Sequence, residues 1–479
     1  MNDVITQFPW LETLKSPART QGLIQEKLPL WRIVCFLLLH VPLALAIKRL
    51  PVLALAHSGA VLLVGLWWAL AGGRLIQVAC VGAYIAGAEV FWRMSGNTLL
   101  WEFGKYATCG IFLLALIRSG RFKPPAIPMI YFLCLLPATV LTLTQYEWYY
   151  SRRMVSFNLS GPLAVLVSLW FFSKLSITSS QLFRILIAFI APVVGVASIA
   201  LISTFGSDSI EFTGSSNFQS SGGFGPNQVS AVLGLGVVTS FLCLIDHHMR
   251  RELKLVFLGG VLVFAVQSAM TFSRTGLYLA GLSAGCASLF FLKNPKTRLT
   301  LLAAVVVLFV AGRFLLFPFL DSFTDGALTK RFQKTDLTGR AEIMQADLQI
   351  AMENPAFGVG VGQGTVKRAE EFGLERVAHT EFTRLLAEHG IFGVGALCLL
   401  LLMGVQAIWR ARTVRAKALV ASMLCFSFLF MVGSGMRLVL PALTFGLASV
   451  FLRPDEAGQP ARAPQRSGKP AMLPTGPDL

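Results

Sequence analysis

The chain has 479 residues, 55% of them hydrophobic and 14% charged, and a mean hydropathy of +0.67, which together exclude an ordinary soluble domain. A formal net charge of +17 raises nucleic acid as a partner. The basic residues, however, gather in short connections between apolar runs, which excludes a continuous nucleic-acid face and follows the positive-inside pattern of membrane proteins.

The first 30 residues are mixed and polar with no cleavable signal, and Trp10, Leu11 and Leu14 predict a short interfacial helix there. A helix needs about 20 apolar residues to cross a bilayer. Segments of that kind recur near 31–47, 51–70, 75–93, 98–117, 126–144, 161–177, 183–204, 227–245, 254–272, 275–292, 299–318, 390–409, 418–434 and 436–452. Several early ones are short, and Glu102 and Lys105 interrupt the fourth, so twelve to fourteen spans are expected. The fold class is therefore all-α, a polytopic transmembrane helical bundle.

With a cytoplasmic N-terminus, four basic clusters fall on the cytoplasmic side: Arg118, Arg121 and Lys123; Arg250, Arg251 and Lys254; Lys293, Lys296 and Arg298; Arg410, Arg412, Arg415 and Lys417. The organisation reads as a cytoplasmic segment 1–30, a transmembrane bundle 31–318, an outward helical loop 319–389, closing spans 390–452, and a cytoplasmic tail 453–479 too rich in Pro to build a core. All eight cysteines lie inside apolar runs without paired spacing and read as small core residues, not disulfides or metal ligands.

Three outward segments are long enough to do more than connect helices: 145–160, 205–226 and above all 319–389. In the last, Arg340 opens a helical pattern through Ile343, Met344, Leu348, Ala351 and Met352 that stops at Asn354-Pro355. Gly358, Gly360, Gly362 and Gly364 follow; no strand precedes them, so they read as a flexible turn and not a nucleotide cradle. A second helical pattern runs from His379 through Phe382, Leu385 and Leu386 to His389, with Gly390 placed to end it.

Outward arginines are the exceptions to the positive-inside bias, and near a membrane they need a partner. They are Arg152, Arg153, Arg274 and Arg437, with Arg340 in the large loop. Arg274 lies in the short turn Thr271-Phe272-Ser273-Arg274-Thr275-Gly276 and Arg437 follows Gly433-Ser434-Gly435, both at the depth of a lipid phosphate. The guanidinium fork binds phosphate through paired hydrogen bonds at any physiological pH, although an aspartate partner or snorkelling to headgroups would also account for these side chains. His40 and His57 lie in early spans and His247 and His248 in a basic turn, which leaves His379 and His389 in the loop. At a helix start the imidazolium is disfavoured, so His379 suits a general base. Glu381 and Glu388 share that helix at i−3 and i+4 from Arg384 and are the alternative bases, or else its ion-pair partners. The loop has no carboxylate pair or His/Cys cluster with metal-ligand spacing, so neither a metal nor another cofactor is expected.

In this order the Ser273-Arg274-Thr275-Gly276 turn, the Arg340 helix running into Asn354-Pro355-Ala356-Phe357-Gly358-Val359-Gly360, and the stretches Ala378-His379-Thr380-Glu381-Phe382 and Glu388-His389-Gly390-Ile391-Phe392-Gly393 resemble the O-antigen ligase and polymerase superfamily. Gly222-Gly223-Phe224-Gly225-Pro226-Asn227-Gln228 is similar to a segment of the same group. The likeness covers roughly 145–435. It implies a bacterial inner-membrane glycosyltransferase with a periplasmic loop over a lipid-facing cavity, an undecaprenyl-diphosphate-linked glycan as donor, and lipid A-core as acceptor in lipopolysaccharide assembly. It also implies His379 as the essential histidine, Arg274 as a phosphate-binding arginine and, through looser motifs, Arg340 and Arg152 or Arg153. A polymerase using a second lipid-linked repeat is the alternative within the superfamily, and an anion transporter the alternative outside it.

Overall fold

The computed structural model describes residues 29–206, 210–212, 215–246, 249–292, 298–299, 301–302, 305–306, 309–310, 312–333, 339–375, 378, 380–433 and 435–454. The expected interfacial helix, His247, His248, residues 300, 303, 304, 307, 308 and 311 of the expected span 299–318, and the tail after 454 lie outside the described residues, as does His379.

The described chain is helical apart from one short parallel ribbon. In order it forms α1 (Leu30–Leu38), α2 (His40–Arg49), α3 (Val52–Leu70), α4 (Leu75–Arg93), α5 (Phe103–Arg118), α6 (Ala126–Leu133), α7 (Leu136–Gln145), α8 (Trp148–Ser173), β1 (Ser176–Ile177), α9 (Ser179–Phe205), α10 (Pro226–Leu244), α11 (Arg251–Met270) and α12 (Thr275–Leu289). A π-helical turn, Gly312–Leu316, leads to α13 (Phe317–Phe323), α14 (Ala327–Gln333), α15 (Arg340–Glu353), α16 (Gly364–Phe372), α17 (Glu381–Arg410), α18 (Val414–Gly433), α19 (Leu440–Ser449) and β2 (Phe451–Leu452).

Among the described residues ten helical segments are long and apolar enough to cross a membrane, with α1–α2 and α6–α7 each making one. The protein is a multi-pass membrane protein. Beyond these ten, α12 and α19 are shorter apolar helices and α5 has 16 residues. In α5 the two charges that interrupt the apolar run neutralise one another, Lys105 Nζ lying 2.5 Å from Glu102.

Residues 145–160 are not a loop. α8 starts at Trp148, so Arg152 and Arg153 ride on the first turns of a 26-residue helix. Polar side chains along its start hide that helix from a hydropathy reading.

Helices α4, α8, α9, α10, α18 and α19 are rich in buried apolar side chains, including Phe91, Trp92, Phe171, Phe172 and Phe189. Several polar groups inside the bundle pair with one another, which lowers the cost of burying them in a low-dielectric interior. His40 Nε2 and His57 Nε2 both meet the Tyr84 hydroxyl, at 2.8 and 2.9 Å, and Trp92 Nε1 donates to His57 Nδ1 at 2.9 Å, which ties α2, α3 and α4 together. Deeper still, Arg93 Nη2 lies 2.6 Å from Glu89 Oε1 with both side chains buried.

Candidate active site

The site grows from a close helix crossing. A Cβ on Gly276 would lie 1.9 Å from the Ser230 carbonyl oxygen and one on Gly234 2.5 Å from that of Gly276, so glycines are what let α12 lie on α10. The Ser230 hydroxyl accepts the Gly276 N–H at 2.9 Å and reaches the Ser273 carbonyl at 3.0 Å, pinning the turn that carries Arg274. Ser273 Oγ donates to Asn227 Oδ1 at 2.7 Å, and the next residue, Gln228, accepts from Arg93 Nη1 at 3.3 Å. Asn227 thus supports the Arg274 turn from the first turn of α10, and Gln228 beside it holds Arg93.

Phe272 in that turn has φ +56°, a left-handed conformation that costs a non-glycine residue about 1–3 kcal/mol. The cost is offset by its buried ring, stacked on Phe212 with centroids 5.2 Å apart, and by its carbonyl, which accepts from Arg331 Nε at 2.8 Å. Arg331 was not apparent from the sequence, where it reads as one more solvated basic residue.

Arg340 begins α15 directly after Gly339, whose φ of +74° turns the chain. Burial and then the positive charge of Arg274 hold its pKa below the ordinary arginine value. The two positive charges repel each other, and an anion bound near both would relieve the repulsion.

Arg437 stands in the turn between α18 and α19 and donates from Nη2 to the Ala378 carbonyl at 2.6 Å, one residue from His379. Its pKa too is lowered, first by burial and then by Arg384, with Glu381 opposing. The turn is held on three sides: Met436 N–H donates to Glu381 Oε2 at 3.3 Å, Val439 N–H to Glu89 Oε2 at 2.7 Å, and Arg93 Nη2 to the Arg437 carbonyl at 3.3 Å. It also joins the Arg274 side of the site to the loop helix. A Cβ on Gly433 would touch Thr275 Cγ2 at 3.3 Å, and one on Gly435 would lie 3.0 Å from Glu381 Oε2.

α17 starts at Glu381 with Thr380 as its N-cap, the Thr380 hydroxyl accepting from Phe382 N–H at 3.3 Å. His379 is thus placed by the sequence one residue before the cap, not inside the first turn. On the helix Arg384 lies between the two glutamates: it bonds to Glu381, its Nη1 sits 2.6 Å from Glu388 Oε2, and it reaches Asn158 Oδ1 at 3.3 Å. All three charged side chains are buried. His389, at the far end, is fully buried, and neither ring nitrogen has a hydrogen-bond partner among the described residues.

The glycine-rich stretch is not flexible. Gly358, Gly360 and Gly362 take φ of +68°, +97° and +78°, and the turn clasps α17: Val359 N–H donates to Ala387 O at 3.0 Å, Gly360 N–H to Glu388 O at 3.1 Å, and Ile391 N–H back to Pro355 O at 2.8 Å. Gly390, with φ +56° and ψ −133°, breaks the helix where the clasp closes. Asp347 of α15 ties this assembly together by bonding to Arg368 of α16 and accepting from Thr383 Oγ1 at 2.8 Å.

The structure therefore brings Arg274, Arg340, Arg437, Asn227, Gln228, Glu381 and Glu388 into one contiguous region. Arg152 and Arg153 are both exposed, Arg152 lying over the Tyr149 ring at 5.7 Å, and no described contact joins either to the Arg274 turn. Among the described residues no three His, Cys, Asp or Glu side chains converge as metal ligands would. Glu89 and Arg93 could have been noticed as an i, i+4 pair inside an apolar run. Asp347 and Arg368, 21 residues apart, leave no such mark.

No curated protein matches the chain. Residues 260–398 match a family model described as O-antigen ligase, a stretch that contains the Arg274 turn, the Arg340 helix, the glycine clasp and the His379 segment.

Proposed function

We propose that the chain is a member of the O-antigen ligase family, whose model residues 260–398 match, and that it transfers a glycan from undecaprenyl diphosphate to a sugar hydroxyl of lipid A-core. In this reading the protein lies in the bacterial inner membrane with twelve to fourteen spans, both termini cytoplasmic, and the 319–389 loop in the periplasm.

The observation that carries the proposal is the Arg437 turn, which packs against Thr275 beside Arg274 on one side and against Glu381 at the start of α17 on the other, with the charge of Arg274 also felt at Arg340. The acceptor oxygen attacks the anomeric carbon as the bond to the diphosphate oxygen breaks. The negative charge that develops on the diphosphate falls to Arg274, Arg340 and Arg437, which are already oriented and need no reorganisation. His379 removes the acceptor proton, a step that contributes about 10² to 10⁴ in rate. A single displacement inverts the anomeric configuration. The buried pairs of Glu381 and Glu388 with Arg384 support His379 over either glutamate as the base.

The test is reconstitution of purified protein with a lipid-linked glycan and either lipid A-core or a second lipid-linked repeat. A single transfer to lipid A-core with inversion is expected, with activity retained in EDTA. Products growing by whole repeats on the second acceptor would make the enzyme a polymerase. Anion flux without product would replace the enzyme by a transporter, and loss of activity on chelation with rescue by Mg²⁺ would overturn the arginine-only mechanism.

A further inference from the structure

We propose that the end of the bundle opposite the Arg274 turn binds the phosphate headgroup of an acidic membrane phospholipid, in a cavity of about 380 Å³ between α6, α8, α17, α18 and α19. Helix directions fix its position. α8 runs from Trp148 to Ser173 and α17 from Glu381 to Arg410, both ending at the cavity, while α18 starts beside it and returns to Gly433. The 20 residues of α18 put about 30 Å between cavity and site.

The lining has two chemistries. Leu169, Met403, Ala407 and Val420 supply apolar wall, and Arg410 and Arg412 supply charge at the rim. Arg415, one turn further on, lies 3.4 Å from Asp246, whereas Arg410 and Arg412 are exposed and take part in none of the ion pairs among the described residues. Two guanidinium forks match a phosphodiester, and the wall matches hydrocarbon, so the ligand has a phosphate joined to an acyl chain. A soluble anion would leave the wall unused.

Depth points the same way. Trp409 is 82% exposed beside Arg410, and Phe451, which lines the cavity, is 45% exposed. Aromatic side chains in that setting sit at the headgroup level of a bilayer, where a lipid phosphate lies. The volume falls within the range of small-molecule sites, about 300–1,000 Å³, and basic pockets between spans are where acidic headgroups bind.

The full chain is purified in mild detergent, its retained lipid is identified by native mass spectrometry, and its affinity for added phosphatidylglycerol is titrated in nanodiscs of neutral lipid. One tightly retained acidic phospholipid per chain is expected. Two arginines near a charged headgroup contribute enough for Arg410→Gln with Arg412→Gln to weaken binding on the order of thirtyfold. Filling the wall with Ala407→Phe is expected to expel the lipid while both arginines remain, and the double Lys variant to keep part of the affinity. Unchanged retention in both the Gln and the Phe variants would overturn the proposal. So would equal affinity for phosphatidylcholine, or occupation of the site by inorganic phosphate alone at matched concentration.

Discussion

The positive charge of Arg274 is felt at Arg340 and helps to lower its pKa, and an anion bound near both would relieve that repulsion. Arg274→Lys keeps the charge and loses the fork, so kcat/KM is expected to fall by about 10² to 10³, the usual loss for a donor aimed at developing charge, in a glycan-transfer assay. For His379 the sign of the pH effect is fixed by its role. A base must be unprotonated, so kcat/KM should fall with decreasing pH on an acid limb. His379→Ala should remove that limb and retain donor binding; an unchanged limb in the variant would assign it to another group. Arg384 belongs to the framework: Arg384→Ala strands two buried carboxylates and should destabilise the protein by about 3–5 kcal/mol, read as a lowered unfolding temperature in detergent.

α17 is one helix by length and two by conformation. Its loop half and its membrane half meet at Gly390, where a Cβ would lie 2.6 Å from the Pro355 carbonyl in a left-handed backbone. Gly390→Ala is therefore expected to cost at least about 1–3 kcal/mol and to loosen the 355–362 clasp, visible as faster amide exchange at Val359 and Gly360. The break itself was legible, because a glycine between two apolar periodicities has few other uses. The rigidity of the glycine clasp was not, since it comes from hydrogen bonds to residues 387–388 that no local pattern announces. The start of α8 was hidden for the opposite reason: its composition is polar although its conformation is helical. Arg274, Arg340 and Arg437 could be nominated from their expected sidedness, but their support by Asn227, Gln228, Arg93 and Arg331 depends on partners far off in sequence.

For the whole molecule, the reading requires that the loop and the tail lie on opposite sides of the membrane. Reporter fusions at Gln363 and Arg466 should report a periplasmic and a cytoplasmic location respectively, and the same side for both would remove the active-site assignment with it. The Glu89–Arg93 pair bears on how such a molecule is made. Arg93 also reaches the Trp101 carbonyl and Gln228, but two further hydrogen bonds of the pair go to residues 437 and 439, separated from it by 344 and 350 positions. During synthesis this charged pair enters the bundle long before those residues leave the ribosome, so the early spans wait with a polar wound that Trp101 and Gln228 narrow and the last segment finishes closing. Completion of the chain is then its own quality check: a product truncated before 437 keeps the wound open and offers proteases a mark that the finished protein lacks.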